Sequence, residues 1–220
     1  MGDQIIKSEY IDSVSRSGLF KYLDKKDHER AWSELLMASR PYSDEQLILS
    51  QGEPVKRAGI VHQGTVRGEK LCLEGTSHVA YVYSKGEVFA FEGAVSGMKT
   101  SPLDFTAQGE TTVIFFDVMK IFGGSFEKQL ITGLMELLAN DNIKKLYRIE
   151  TLSQRRLRDR ILTHLNIMSR KNGSDTFTLE MSREQLARYL CVNRTALSYE
   201  LNQMKRDGLI DFRGKTFRIK

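Results

Sequence analysis

The sequence predicts an α+β chain: an N-terminal antiparallel β-roll of jelly-roll type, one long helix, and a C-terminal helical unit closed by a β-hairpin. Three observations carry this. Short β-rich runs broken by glycines fill the stretch from about Arg40 to Phe116. Apolar residues then recur at helical spacing. The positive charge gathers in the last third of the 220-residue chain.

Ahead of the roll, residues 24–37 read as a helix, with Asp24 as its cap and Trp32, Leu35 and Leu36 as its apolar face. The β-rich runs are Leu47-Ile48-Leu49, Ile60-Val61, Val79 to Tyr83, Val88 to Phe91, and Thr112 to Phe116. Gly52, Gly64, Gly68, Gly75, Gly86, Gly93 and Gly109 punctuate them, as expected of short antiparallel strands closing into a barrel or roll.

Beyond Asp117 the period becomes helical. Ile131, Leu134, Met135, Leu138, Leu146, Ile149 and Leu152 place residues 126–152 in one helix, about 40 Å long at ~1.5 Å per residue. One apolar stripe faces the roll. A second, which a lone roll leaves exposed, predicts a homodimer joined along Ile131, Leu134, Met135, Leu138, Leu146 and Ile149. A basic run, Gln154 to Arg160, leads into another amphipathic helix with Ile161, Leu162, Leu165 and Ile167 inward. A turn at Asn172 to Asp175 and a short strand at Thr176 to Glu180 follow.

The last third is the most explicit. Ser182 and Gln185 have capping-box spacing, and Leu186, Ala187 and Leu190 are the inner face of the helix they open. Cys191-Val192-Asn193 breaks it. Asn193 caps a second helix with Leu197, Leu201 and Met204 inside, and Gly208 stops that helix. Two short helices joined by three residues, with the small Ala187 at their close approach, form a helix-turn-helix. Leu209 to Phe212 and Thr216 to Ile219 then alternate apolar and polar around Arg213-Gly214-Lys215, a wing with a basic tip. The second helix presents Arg194, Thr195, Ser198 and Tyr199, and Arg194 stands in its first turn, where an arginine can bond two acceptors of guanine. With Arg183, Asn193, Arg213 and Lys215 these are the expected DNA contacts. Charge agrees: from Gln154 onward there are 15 basic and 7 acidic residues, against 18 and 21 before it.

The order and the local stretches resemble the CRP/FNR family of bacterial transcription regulators (the cyclic-AMP receptor protein and its relatives). Ile48 to Glu53 followed by Ile60 to Val66 looks like the opening of that family's roll. Leu157 to Leu162 looks like its entry into the DNA domain, and Ser182 to Ile210 covers its helix-turn-helix, with Arg194 at the guanine-reading arginine. The resemblance spans about residues 20–220. It implies a cyclic-nucleotide-binding-like roll with N-terminal helices (1–125), a dimerisation helix and hinge (126–153) and a winged helix-turn-helix (154–220). It also implies a homodimer on inverted-repeat double-stranded DNA, contact with RNA polymerase, and a small effector that switches between two states. The pocket it implies is lined by Phe89, Phe91, Glu92, Lys99 and Ser101 of the roll with Leu138 and Asn142 of the helix.

Departures bear on the effector. Cyclic-nucleotide binders of the family carry a Gly-Glu pair and then an Arg-Ser pair. Here Phe91-Glu92-Gly93 keeps an acid, but the later stretch reads Lys99-Thr100-Ser101-Pro102, without the arginine and with a proline that removes a backbone donor. Lys145 and Leu146 stand about where such binders place hydroxyls. Cyclic AMP is therefore not expected. Two cysteines cannot supply the four that an iron–sulfur cluster needs, and haem-sensing relatives use a Cys or His where this chain reads Ala90-Phe91-Glu92. Cys191, where the turn of the motif usually has glycine, is expected to be a small buried residue.

A rival reading is a cupin-like metalloenzyme or ligand-binding module with an accessory DNA-binding domain. It needs converging histidines in the barrel. His28 and His164 fall in expected helices, and His62 and His78 read as ordinary strand residues. No metal constellation, nucleophile elbow or phosphate loop is present, so no cofactor and no enzymatic activity are expected. No apolar run is long enough to cross a membrane, Met1 to Gln4 do not open a signal peptide, and the separated Cys72 and Cys191 fit a reducing cytoplasm.

Overall fold

The computed structural model describes residues 8–71 and 77–220. Met1 to Gln4, Cys72 and Gly75 lie outside the described residues. The chain divides into two compact units, residues 1–139 and 140–220, and the division falls inside one helix.

The first unit begins with α1 (Ser8–Arg16) and α2 (His28–Leu35). The helix expected over residues 24–37 is shorter at both ends. Asp24 precedes a 3-10 turn at Lys25–Asp27 and makes no side-chain cap, and Leu36 turns to ψ 134° to open a strand. Strands β1 (Leu36–Tyr42), β2 (Leu47–Leu49), β3 (Ala58–Leu71), β4 (Ser77–Tyr83), β5 (Val88–Phe89) and β6 (Asp104–Phe116) form one antiparallel sheet. Its order is β1-β6-β3-β4, with β2 on β6 and β5 on β3. The two long central strands pair from Ala58↔Phe116 to Glu69↔Asp104, with register shifts around Gln63. Such bulges increase twist, which lets a sheet curl into a roll. Gly64, at φ +78° beside them, has no room for a Cβ, which would lie 2.5 Å from the carbonyl of Glu110.

The run from Val88 to Phe91 is not all strand. Ala90 adopts φ +62° and turns the chain into the short helix α3 (Phe91–Val95), so Phe91 is helical. The roll's core is aromatic. Phe20 and Phe116 meet Trp32 edge-on, and Phe89 lies among Tyr83 and Phe105 at 5.8 and 5.0 Å between ring centres. Phe89 covers Gly59, where a Cβ would lie 2.4 Å from its ring. Helix α1 is tied to the sheet by Ser13 Oγ on Nδ1 of His62 (2.9 Å) and by Tyr10 on Ser39 Oγ (3.0 Å).

Helix α4 (Glu127–Leu152) is continuous over 26 residues, as its period predicted. Leu130 and Leu134 are buried in the roll's core, with Ile131, Leu137 and Leu138 half-buried beside them. Gly133 belongs to the same contact, because a Cβ there would lie 2.3 Å from the carbonyl oxygen of Leu19. Leu134, expected in a dimer seam, is only 4% exposed and packs within its own chain, whereas Met135 and Ile149 are each 64% exposed. The six residues expected along one seam therefore do not share one face of α4.

The second unit takes the end of α4, then α5 (Leu157–Asn172), β7 (Thr176–Thr178), α6 (Arg183–Tyr189), α7 (Arg194–Arg206), β8 (Ile210–Arg213) and β9 (Thr216–Ile219). The three strands form a sheet ordered β7-β9-β8. Ile161, Leu165, Leu186, Ala187, Leu190, Leu197, Leu201, Met204 and Phe217 make its core. No helix of the described residues is long and apolar enough to cross a membrane.

Candidate nucleic-acid interface

The second unit holds its outer helix by local chemistry. Ser182 Oγ accepts from the Gln185 amide (3.2 Å) and Gln185 Oε1 accepts from the Ser182 amide (2.7 Å), completing the capping box of α6. The chain leaves α6 through Cys191, which is exposed and adopts φ +56°. The expectation of a buried small residue fails here: the position suits glycine because the turn is left-handed, not because space is short. Val192 N–H donates to the Ala187 carbonyl (3.0 Å), closing the turn on the small residue. Asn193 Oδ1 accepts from the Ala196 amide (2.7 Å) and caps α7.

Leu197, Leu201 and Met204 fasten α7 to the core, which leaves Arg194, Thr195 and Tyr199 exposed and Ser198 half-buried. The orientation of α7 is held from behind by Arg158 of α5, which reaches Glu200 and Asp207, both at 2.6 Å. Those two carboxylates hold the Arg158 guanidinium above its ordinary pKa. At the other end Lys205 pairs with Asp211 (2.6 Å), which lowers the carboxyl pKa of Asp211. Sequence reasoning missed both struts, since their partners lie 42 and 6 residues apart and no local spacing marks the longer one.

The expected contacts separate by what their side chains already do. Arg183 stacks on Phe217 (4.6 Å) and Phe212 (4.8 Å) and donates to the Gly214 carbonyl (3.0 Å), and burial lowers its pKa. It braces the wing from beneath. Arg160 donates to the carbonyls of Gln154 and Leu190 at 2.9 and 3.3 Å. Arg188 pairs with Glu184 at 3.5 Å. Lys215 is exposed at the wing tip but lends its ammonium to the Glu180 carbonyl (2.8 Å). Arg194 and Arg213 are exposed and make no ion pair among the described residues. Gly214 alone carries positive φ (58°) in the two-residue wing turn, the pattern of a type II′ hairpin.

His164 on α5 is 2% exposed, lies 4.7 Å from the Tyr189 ring, and finds no hydrogen-bond partner for either ring nitrogen among the described residues. Burial, and Lys171 to a lesser degree, push its pKa down to about 4.

In the roll, Phe89, Phe91 and Ser101 are buried, Glu92 is half-buried and Lys99 is exposed. The Ser101 hydroxyl is committed to the Leu103 carbonyl (2.5 Å). On α4, Leu138 is half-buried against the roll's core and Asn142 is exposed. Among the described residues no three His, Cys, Asp or Glu side chains converge in a metal-binding group.

Two family models match the chain. Residues 143–220 match a Crp-like helix-turn-helix domain, and residues 39–122 match a cyclic nucleotide-binding domain. Among curated proteins, electron transport regulator A of Shewanella oneidensis is 22% identical over 190 residues, covering 83% of this chain and 74% of that protein. Regulatory protein HlyX of Actinobacillus pleuropneumoniae is 21% identical over 193 residues, covering 84% of this chain and 79% of that one. Among solved structures, the c-di-GMP responsive global regulator CLP of Xanthomonas campestris superposes with a TM-score of 0.62. It is 19% identical, and the match covers 89% of this chain and 99% of that one.

Proposed function

We propose, for a chain that belongs to the CRP/FNR family of transcription regulators, that it binds as a dimer to an inverted-repeat operator and reads one guanine in each half-site with Arg194. The chain is a DNA-binding regulator, and the metalloenzyme reading is not supported by its relatives. The functional division we propose is a sensor roll through residue 125, a dimer helix over 126–153 and a reader over 154–220.

One observation supports the reader above the others. Arg158, Arg160, Arg183 and Arg188 are each engaged within the unit, while Arg194 is exposed on the first turn of α7 and makes no ion pair among the described residues. That end of a recognition helix enters the major groove, and a guanidinium there meets guanine O6 and N7 together. Thr195, Ser198 and Tyr199 lie on the same helix to reach neighbouring bases or phosphates. Arg213 and Lys215 would meet phosphates beside the groove, Arg183 acts by holding the wing, and Asn193 acts by capping. A two-fold dimer would present two such helices about 34 Å apart, one turn of DNA.

An effector, if this chain takes one, enters the roll near Phe89, Phe91, Glu92, Lys99 and Ser101. Cyclic AMP does not suit that stretch, because Lys99 to Pro102 lacks the phosphate-pairing arginine and Ser101 spends its hydroxyl on the backbone. No iron–sulfur cluster or haem is proposed. RNA polymerase is the further partner this reading implies, and the cytoplasm its place.

Selection of bound duplexes from a random DNA pool tests the proposal. An inverted repeat with half-site centres about 10 base pairs apart and a fixed guanine in each half is the expected result. Recovery of unrelated sequences in proportion to the starting pool would overturn it.

A further inference from the structure

The end of α4 is held in the second unit by a polar junction. On α5, Arg160, His164, Ile167 and Lys171 recur at spacings of 4, 3 and 4, which puts them on one side of the helix. Arg160 donates to the Gln154 carbonyl just past α4 (2.9 Å), and Lys171 stands 4.9 Å from the centre of the Tyr147 ring on α4. Arg148 of α4 lies 5.6 Å from the centre of the Tyr189 ring on α6. Of the α4 residues beyond Ala139 only Thr151 is buried, and none of them belongs to the unit's apolar core. Cation–ring contacts and a buried hydroxyl, rather than hydrophobic anchors, fasten this helix end.

His164 stands midway along the face of α5 that does the fastening. Among the described residues its two ring nitrogens find no hydrogen-bond partner, and neither does Thr151 Oγ1, which the Tyr189 hydroxyl approaches without completing a bond. A proton added to that ring makes a buried charge with nothing to pair it. Lys171 on α5 and Arg148 on α4 carry the same sign. Tyr189 on α6 is neutral, its pKa raised by burial. The carboxylates of the surrounding helices are engaged: Glu150 of α4 with Arg170 (3.8 Å), Glu184 of α6 with Arg188 (3.5 Å), and Glu200 and Asp207 of α7 with Arg158 (2.6 Å each). Asp159 of α5 and Arg218 of β9 are exposed, and β7 carries no titratable side chain.

We propose that this junction is a proton-operated clasp: a proton taken up by His164 releases the last turn of α4 from α5 and α6, and the DNA reader loses its fixed attachment to that helix. Release lets water reach the ring and moves it away from Lys171 and Arg148. Inside the clasp burial holds His164 near a pKa of about 4, against 6.5 for the free group. Between those values the released arrangement binds more protons, so the clasp is intact above pH 6.5 and loosens as the pH falls toward 4. From pH 7 to pH 5 the clasping equilibrium should fall about twentyfold. Acid alone acts the other way on DNA affinity, because added positive charge favours a polyanion.

The test compares the full chain with His164→Phe, which keeps a ring and cannot take up a proton. Amide hydrogen exchange at pH 7 and pH 5, corrected for the intrinsic rate, should show residues 148–153 of the parent opening about twentyfold more readily at pH 5, with the Leu197 and Leu201 amides of α7 still protected. Affinity for the operator selected from the random pool should fall over the same range, a readout that rests on the DNA-binding reading above. His164→Phe should show neither change. Thr151→Val removes the other unpartnered polar group at matched shape, so its release should need a lower pH than the parent's, and this variant decides the matter even where His164→Phe fails to fold. Parallel pH profiles in the parent and His164→Phe, or release of Thr151→Val at the parent's pH, would overturn the clasp. So would loss of protection in α7 together with α4, which is unfolding of the whole unit. An operator bound at no pH would overturn the DNA-binding reading instead, and hydrogen exchange, which needs no DNA, still decides the clasp.

Discussion

The reader and the roll were written in different ways. In the second unit each turn is specified within a few residues: Ser182 with Gln185, Asn193 with Ala196, Gly208 after α7, Gly214 at the wing. In the roll the decisive contacts join distant residues. Ala58 pairs with Phe116, and Phe89 packs over Gly59 and against Phe105. Caps and turns are local chemistry and can be read from spacing. Strand register is set by what lies across the sheet and cannot.

That contrast can be tested where it predicts the largest effect. Phe89→Ala removes an almost fully buried ring from the roll's aromatic cluster and should cost about 3–5 kcal/mol. Trp32, the sole tryptophan and itself buried in this core, reports the unfolding by its fluorescence in urea. A cost below 1 kcal/mol would mean that Phe89 sits in a loosely filled space rather than a packed one.

The next effect belongs to the second unit and depends on pH. His164 is held neutral by burial, with its folded pKa near 4 against 6.5 for the free group. Between those values the unfolded chain binds more protons, so stability is full above pH 6.5 and falls as pH drops toward 4. The loss attributable to this residue should be about 2 kcal/mol between pH 7 and pH 5. Urea unfolding followed by circular dichroism should show it, and His164→Phe should flatten that part of the slope. An unchanged slope in the variant would assign the acid sensitivity to other groups.

The smallest effect has the opposite sign. Cys191 occupies a left-handed turn with its side chain in solvent, so Cys191→Gly should stabilise the helix-turn-helix by about 0.5–1 kcal/mol. A destabilised variant would show that the thiol makes a contact worth more than the strain.

Legibility follows the same division. The β-rich runs located five strands, but β1 was missed because Arg40 and Pro41 interrupt its apolar pattern, and Phe91 was placed in a strand because nothing nearby announces the left-handed Ala90. In α4 the period gave the helix and not its faces. Ile131, Leu134 and Met135 are near neighbours in sequence, yet only the roll's position decides that Leu134 is inside and Met135 outside. Among the expected contacts, Arg194 makes no ion pair among the described residues whereas Arg183 is engaged, and that difference depends on Phe212 and Phe217 coming back from the wing.

The central claim is that Arg194 reads a base. Binding of Arg194→Ala to the selected operator, and to operators altered one base pair at a time, tests it most directly at fixed salt. The variant should lose roughly 1–3 kcal/mol per half-site and lose its preference at one base pair while keeping it at the others. Arg194→Lys should recover affinity further than specificity, because an ammonium cannot make the two-pronged bond. A uniform loss across all operators with base preference unchanged would contradict the account, since Arg194 would then be touching only phosphate.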